Sequence, residues 1–132
     1  MKKIILSLVF FLFTAFLING CSKSDDTTVT STGGNRNPET PSSPIPSNGA
    51  TGVSGFITVT WNCSDPDAND TLRYDVFAGS TSNPTTVVAS DILNKAADIG
   101  VAAPHSTVYW RVTAKDNHGG STKGPVWQYS TP

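Results

Sequence analysis

"TVYWRVTAKD", Thr107–Asp116, decides the fold. Every second residue is apolar (Val108, Trp110, Val112 and Ala114), and Tyr109, Arg111, Thr113 and Lys115 stand between them. A period of two puts alternate side chains on opposite faces of a strand. Wound as a helix, the same residues would set Lys115 on one stripe with Val108 and Val112, so the segment predicts a strand with one buried and one solvated face. That is the pattern of antiparallel sheet.

The alternation recurs upstream. In "GFITVTWNC", Gly55–Cys63, Ile57, Val59, Trp61 and Cys63 share a face opposite Thr58, Thr60 and Asn62. In "TLRYDVFAG", Thr71–Gly79, Leu72, Tyr74, Val76 and Ala78 alternate with Arg73, Asp75 and Phe77. "TTVVAS" and "KAADIGV" predict weaker strands, and "GPVWQYST" sets Trp127 and Tyr129 on one face. With a first edge strand expected in Pro46–Ser54, the pattern predicts an all-β sandwich of about seven antiparallel strands over residues 44–132. No helical period appears after residue 21.

"PSNGATGVSGFITVTWNCSDPDANDTLRYDVFAGSTSNP", Pro46–Pro84, with "YWRVTAKDNHGGSTKGPVWQYST" downstream, resembles the fibronectin type III-like modules of bacterial extracellular proteins. Trp61, the Tyr74-x-Val76 pair and the alternating Val108–Ala114 core carry the resemblance, which implies an immunoglobulin-like sandwich. Two departures stand out. Val108 occupies the place of the usual corner tyrosine, with Tyr109 one residue along, and the acidic turn reads "DAND" in place of the shorter Asp-Gly-Asp.

The N-terminal third has another character. Lys2 and Lys3 precede a short apolar run, Ile4–Ile18, that ends near Gly20. As a helix that run would rise about 22 Å, short of a ~30 Å hydrocarbon core. Residues 1–20 therefore read as a signal peptide. "LINGC", Leu17–Cys21, resembles the lipobox of bacterial lipoproteins, which implies acylation of Cys21 and cleavage before it. Two or three acyl chains, at ~0.8 kcal/mol per buried methylene, would anchor the chain stably. "SKSDD", Ser22–Asp26, resembles the acidic export tag of surface lipoproteins in the Bacteroidota. These resemblances imply a cell-envelope protein, held at the outer membrane and facing outward.

Residues 22–43 hold five Ser, five Thr and one aliphatic residue, Val29. Too little apolar surface is present to offset ordering entropy, so residues 21–43 are expected to be the lipidated cysteine and a disordered tether.

"NCSDPDANDTLRYDV", Asn62–Val76, concentrates Asp65, Asp67, Asp70 and Asp75. Asp65-x-Asp67-x-Asn69 matches the first three ligand positions of a calcium loop, because hard cations take several oxygens. An EF-hand is excluded: its sixth position is Asp70 where Gly is needed, and its twelfth is Val76 where a bidentate Glu belongs. A different calcium geometry would use Asp65, Asp67 and Asp70 with a further carboxylate, for which Asp116 is the candidate. Asp and Asn bonding their own backbone, with Pro66 presetting a turn angle, is the preferred reading. No cofactor is therefore expected, with Ca2+ as the alternative.

Other chemistry is sparse. His105 and His118 have no nucleophile near them in sequence, and no phosphate loop, zinc spacing or hydrolase elbow occurs. Cys63 reads as a small buried hydrophobe. Nine basic against ten acidic residues give no basic patch for nucleic acid. Phe77 and Tyr109 should point outward with Arg73 and Arg111, either as a face for a protein or carbohydrate ligand or as a cross-strand pair that stabilises the sheet. Asp26-Thr27-Thr28 and Asp70-Thr71-Leu72 resemble short O-glycosylation triplets of the Bacteroidota. The expectation is a non-enzymatic lipoprotein whose domain serves adhesion, ligand binding or structure. The alternatives are a calcium-dependent adhesive domain and an accessory subunit of a glycan-uptake or glycan-degrading complex.

Overall fold

The computed structural model describes residues 34–132. The expected signal peptide, Cys21 and the start of the expected tether lie outside the described residues. Eight strands follow in order: β1 (Ser42–Ile45), β2 (Ile57–Asn62), β3 (Arg73–Gly79), β4 (Val87–Ile92), β5 (Ala96–Gly100), β6 (Thr107–Lys115), β7 (Ser121–Lys123) and β8 (Trp127–Ser130). One sheet has the order β1-β2-β5. The other has the order β4-β3-β6-β7, with β8 also paired to β6. All these pairings are antiparallel.

The period-two residues line the space between the sheets. Ile57, Val59 and Trp61 of β2 meet Tyr74, Val76 and Ala78 of β3, Trp110, Val112 and Ala114 of β6, and Trp127 and Tyr129 of β8, all buried. Trp61 stands edge-on to Tyr74 with ring centroids 5.3 Å apart, and so joins the two sheets. Within one sheet, Trp110 and Trp127 pack at 4.7 Å. Burying each large apolar side chain contributes roughly 1.5–3 kcal/mol. Among the described residues Cys63 is a free, buried thiol, so this core has no covalent help.

The folded chain starts earlier than composition places it. Residues 35–43, expected in the tether, lie against the sandwich. Pro41 is fully buried, the Glu39 N–H donates to Ser64 O at 2.9 Å, and Thr122 Oγ1 donates to Pro38 O at 2.6 Å. The first strand is Ser42–Ile45, not a strand within Pro46–Ser54. Prolines lack an N–H and suit an outer strand, so β1 takes the edge beside β2. Left-handed Gly49, Gly52 and Gly55 then break any regular strand over 46–54. That stretch instead crosses to the other sheet, where Gly49 N donates to Gln128 O and Ser130 N donates to Ala50 O, both at 2.8 Å.

The last expected strand, within Gly124–Thr131, is β8, and a short strand that alternation did not reveal, β7, precedes it. Gly124 separates the two, donating its N–H to Val112 O at 2.8 Å, and a Cβ there would stand 2.8 Å from that same oxygen. β7 and β8 thus continue along one edge of β6 on either side of this close approach.

The β3–β6 register runs from Arg73↔Lys115 to Gly79↔Tyr109. It brings the β2–β3 loop, the β6–β7 loop and residues 35–39 to one end of the sandwich.

Candidate functional site

That end holds the acidic turn. Asp67 N donates to Asp65 Oδ1 at 2.8 Å, an Asx bond of the kind the turn's composition favours, and Asp70 N donates to Asp67 O at 3.0 Å, a backbone bond that closes the turn. One carboxylate oxygen from each of Asp65, Asp67 and Asp70 lies within 4.8 Å of the others.

Two basic side chains reach into the cluster. Arg36 clamps Asp67: its Nε and Nη2 meet Oδ1 at 3.0 and 2.8 Å, and its backbone N–H meets Oδ2 at 2.7 Å. The backbone bond and the guanidinium together hold the Asp67 carboxyl below the usual carboxylate range. His118 Nδ1 lies 2.9 Å from Asp70 Oδ1. The hydrogen bond and charge of Asp70 raise the imidazole's pKa, with Asp116 and Asp67 adding to it.

Asp116 reaches the same end but is not a member of the converging set. Its Oδ1 accepts His118 N at 2.8 Å and Gly120 N at 2.7 Å, and its Oδ2 accepts Asn35 Nδ2 at 2.9 Å. Asn35 is the largest influence holding its carboxyl low. A Cβ at Gly120 would run into the Asp116 carboxylate and would push it off its Asn35 partner. Asp116 shapes the β6–β7 loop, and Asn117 Oδ1 then accepts Thr71 N at 2.7 Å across the two loops.

Sequence reasoning missed Arg36, Asn35 and the role of His118. Arg36 is the one basic residue between Lys23 and Arg73, in a Ser/Thr/Pro-rich stretch, and nothing in its neighbours along the chain points to Asp67. Asn117 beside Asp116, in a loop carrying His118, was the available signal for a polar cluster.

The outward face of β3 and β6 divides the four residues expected there. Phe77 lies directly opposite Arg111, whose guanidinium carbon sits 4.7 Å from the ring centroid. Arg111 is only 9% exposed, and its Nη1 reaches Asn83 Oδ1 at 3.3 Å. Its charge is used on the protein's own ring. Tyr109 lies opposite Gly79 in the neighbouring diagonal, next to that pair. Arg73 stands at the far end of the strand and pairs with Asp91 at 3.0 Å. Between them sits Asp75, whose Oδ1 accepts Lys115 Nζ, Asp91 N and Ser90 Oγ at 2.9, 2.9 and 3.0 Å. Phe77, Arg111 and Tyr109 therefore form one patch, while Arg73 belongs to an ion-pair group around Asp75.

Cys63 Sγ lies 3.2 Å from Glu39 O, and burial pushes its thiol up, so it is a packed and poorly nucleophilic group. His105 has a left-handed backbone, and its N–H donates to Pro132 O at 2.8 Å, far from the acidic end.

The chain is similar to a solved Fn3-like protein from Clostridium thermocellum, with a TM-score of 0.54 and 24% identity over 74% of this chain and 96% of that one. At that identity the likeness speaks for the fold: an all-β, Fn3-like sandwich. No family model and no curated protein matches the chain.

Proposed function

We propose that this chain is a non-enzymatic lipoprotein of the cell envelope, tethered through Cys21, whose Fn3-like sandwich serves as a binding or structural module. The observation that carries the reading is the order of parts along the chain. A lipobox-like "LINGC" comes first, then a Ser/Thr-rich spacer, then a sandwich whose core is sealed. The Ser/Thr-rich composition between Cys21 and the sandwich supports the spacer. Fn3-like sandwiches host many functions, so the fold supports the module and the N-terminal motifs support the place.

Phe77, Arg111 and Tyr109 make the best-formed contact patch for a protein or carbohydrate ligand. A ring backed by a cation and flanked by a phenol stacks on flat apolar surfaces while keeping polar edges wet. Outer-membrane placement facing outward follows the "SKSDD" resemblance.

Metabolic labelling with an alkyne fatty acid, followed by membrane fractionation and protease treatment of intact cells, tests the reading. The wild type should carry the label and partition with the outer membrane, and Cys21→Ala should lose both. A wild-type chain that takes no label overturns the anchor. A Phe77→Ala, Tyr109→Ala double variant that retained every ligand of the wild type would remove the patch from consideration.

A further inference from the structure

We propose that the acidic turn is a calcium site, with Asp65, Asp67 and Asp70 as its protein ligands. This does not rest on the lipid anchor or on the Phe77 patch.

Convergence is the first observation. Calcium–oxygen distances of about 2.3–2.6 Å allow two ligand oxygens of one ion to stand at most about 5 Å apart. The three carboxylates meet that condition, each with an oxygen within 4.8 Å of the others.

The second observation is independent of the clustering. The Asp70 side chain is only 4% exposed. Its Oδ1 faces His118, but its Oδ2 is sealed from solvent with no hydrogen-bond donor, and Asp65 Oδ2 is sealed and undonated in the same way. Buried carboxylate oxygens without a donor are unfavourable, and proteins resolve them by protonation, pairing or metal ligation. Backbone bonding of the turn uses Asp65 Oδ1 and leaves Oδ2 unmet. The turn's own bonds therefore do not account for these two atoms.

Charge counts the same way. Three carboxylates face one arginine and one histidine, both approaching from solvent with side chains 62% and 55% exposed. Asp116 adds a further negative charge close to His118. Even with His118 protonated and Lys95, which lines the same hollow, counted in, the four carboxylates Asp65, Asp67, Asp70 and Asp116 outweigh the three cations, and a cation bound there would meet a net negative site.

Ligand chemistry selects the ion. All the donors are carboxylate oxygens on a turn, which suit a hard cation with flexible geometry. Zinc would call for nitrogen or sulfur, and the Cys63 thiol is not in the set. Magnesium demands near-ideal octahedral geometry at about 2.0–2.1 Å, which a wide three-carboxylate turn does not impose. Water completes the shell. Three protein carboxylates at a partly exposed turn correspond to the weak class of extracellular modules, with Kd on the order of 10⁻⁴–10⁻³ M.

The test uses the full chain in mild detergent, stripped with EDTA and titrated with CaCl2 to ~10 mM, against MgCl2 at equal ionic strength. Thermal unfolding should show a saturable rise in Tm of roughly 5–20 °C with calcium, from a ligand present at about ten to a hundred times its Kd. Equilibrium dialysis with radioactive calcium should find one ion per chain. Asp70→Asn and Asp65→Asn should each abolish both signals. Should Asp70→Asn fail to fold, Asp65→Asn and the wild-type dialysis still decide. No saturable calcium binding by the wild type up to 10 mM overturns the proposal. So does binding that survives both substitutions, because the ion then sits elsewhere.

Discussion

Replacing Asp75 by Asn isolates the polar hub of the β3–β6 face. Three donors converge on Asp75 Oδ1: Lys115 Nζ at 2.9 Å, the Asp91 N–H at 2.9 Å and Ser90 Oγ at 3.0 Å. Burial alone would raise the Asp75 pKa, but these donors outweigh it and hold the carboxyl below its ordinary value. The Asp75 side chain is 22% exposed and that of Lys115 34%, so solvent screens the pair in part. Hydrogen bonds to a charged group contribute about 1.5–3 kcal/mol when shielded and less when wet, so Asp75→Asn should cost about 1–2 kcal/mol. For a domain of this size that lowers Tm by roughly 4–16 °C.

The pH dependence is the sharper part. A folded pKa below the unfolded one contributes stability that is fully present above the unfolded value, ~3.9, and is lost as pH falls through the folded value. The wild type should therefore lead Asp75→Asn by a constant margin from about pH 5 to pH 8 and lose that lead toward about pH 2. At the alkaline end the sign reverses. The Asp75 hydrogen bond raises the Lys115 pKa, so its contribution fades as pH climbs through that raised value. Urea unfolding at each pH, with matched slopes, measures the gap. The other carboxylates titrate in both proteins and cancel in the difference. A gap of the same size at pH 2 and pH 7 would refute the charge argument and leave only lost packing.

Two further outcomes follow from other sites. Tyr74 is 1% exposed; its sealed hydroxyl has the weakly bonding Cys63 thiol beside it but no partner in good hydrogen-bond geometry, and burial, with Cys63 adding to it, pushes its phenol up to about 12. Tyr74→Phe should accordingly stabilise the domain by about 0.5–1.5 kcal/mol in urea titration, the reverse of an ordinary core substitution; a loss would mean the hydroxyl has a partner. Gly124→Ala would press a methyl against Val112 O and Pro41 Cβ, at 2.8 and 3.2 Å. The backbone there cannot yield as a side chain could, so a loss of about 1–3 kcal/mol is expected in the same assay, and an unchanged midpoint would contradict the close packing of the β7–β8 junction.

Which residues form the core was legible from alternation alone. Ile57, Val59 and Trp61, Tyr74, Val76 and Ala78, and Trp110, Val112 and Ala114 are buried as a period of two requires. Proline and serine content concealed β1, because composition reports average burial and not the one proline, Pro41, that fills a slot beside Gly124. Arg111 was legible as outward-facing, yet lies beneath solvent contact because Phe77 stands opposite it across the β3–β6 ladder.

Strands β2, β3, β6 and β8, their inner and outer faces, and the clustering of acids in one turn could be read from the order of amino acids, because all are local properties of neighbouring residues. What meets that turn is settled by contacts far apart along the chain. Arg36 bonds Asp67 from 31 residues away, and Asn35 bonds Asp116 from 81 residues away. Such pairs depend on which loops the strand register delivers to the same end of the sandwich. Register is set by the packing of a whole face, so it cannot be read one segment at a time.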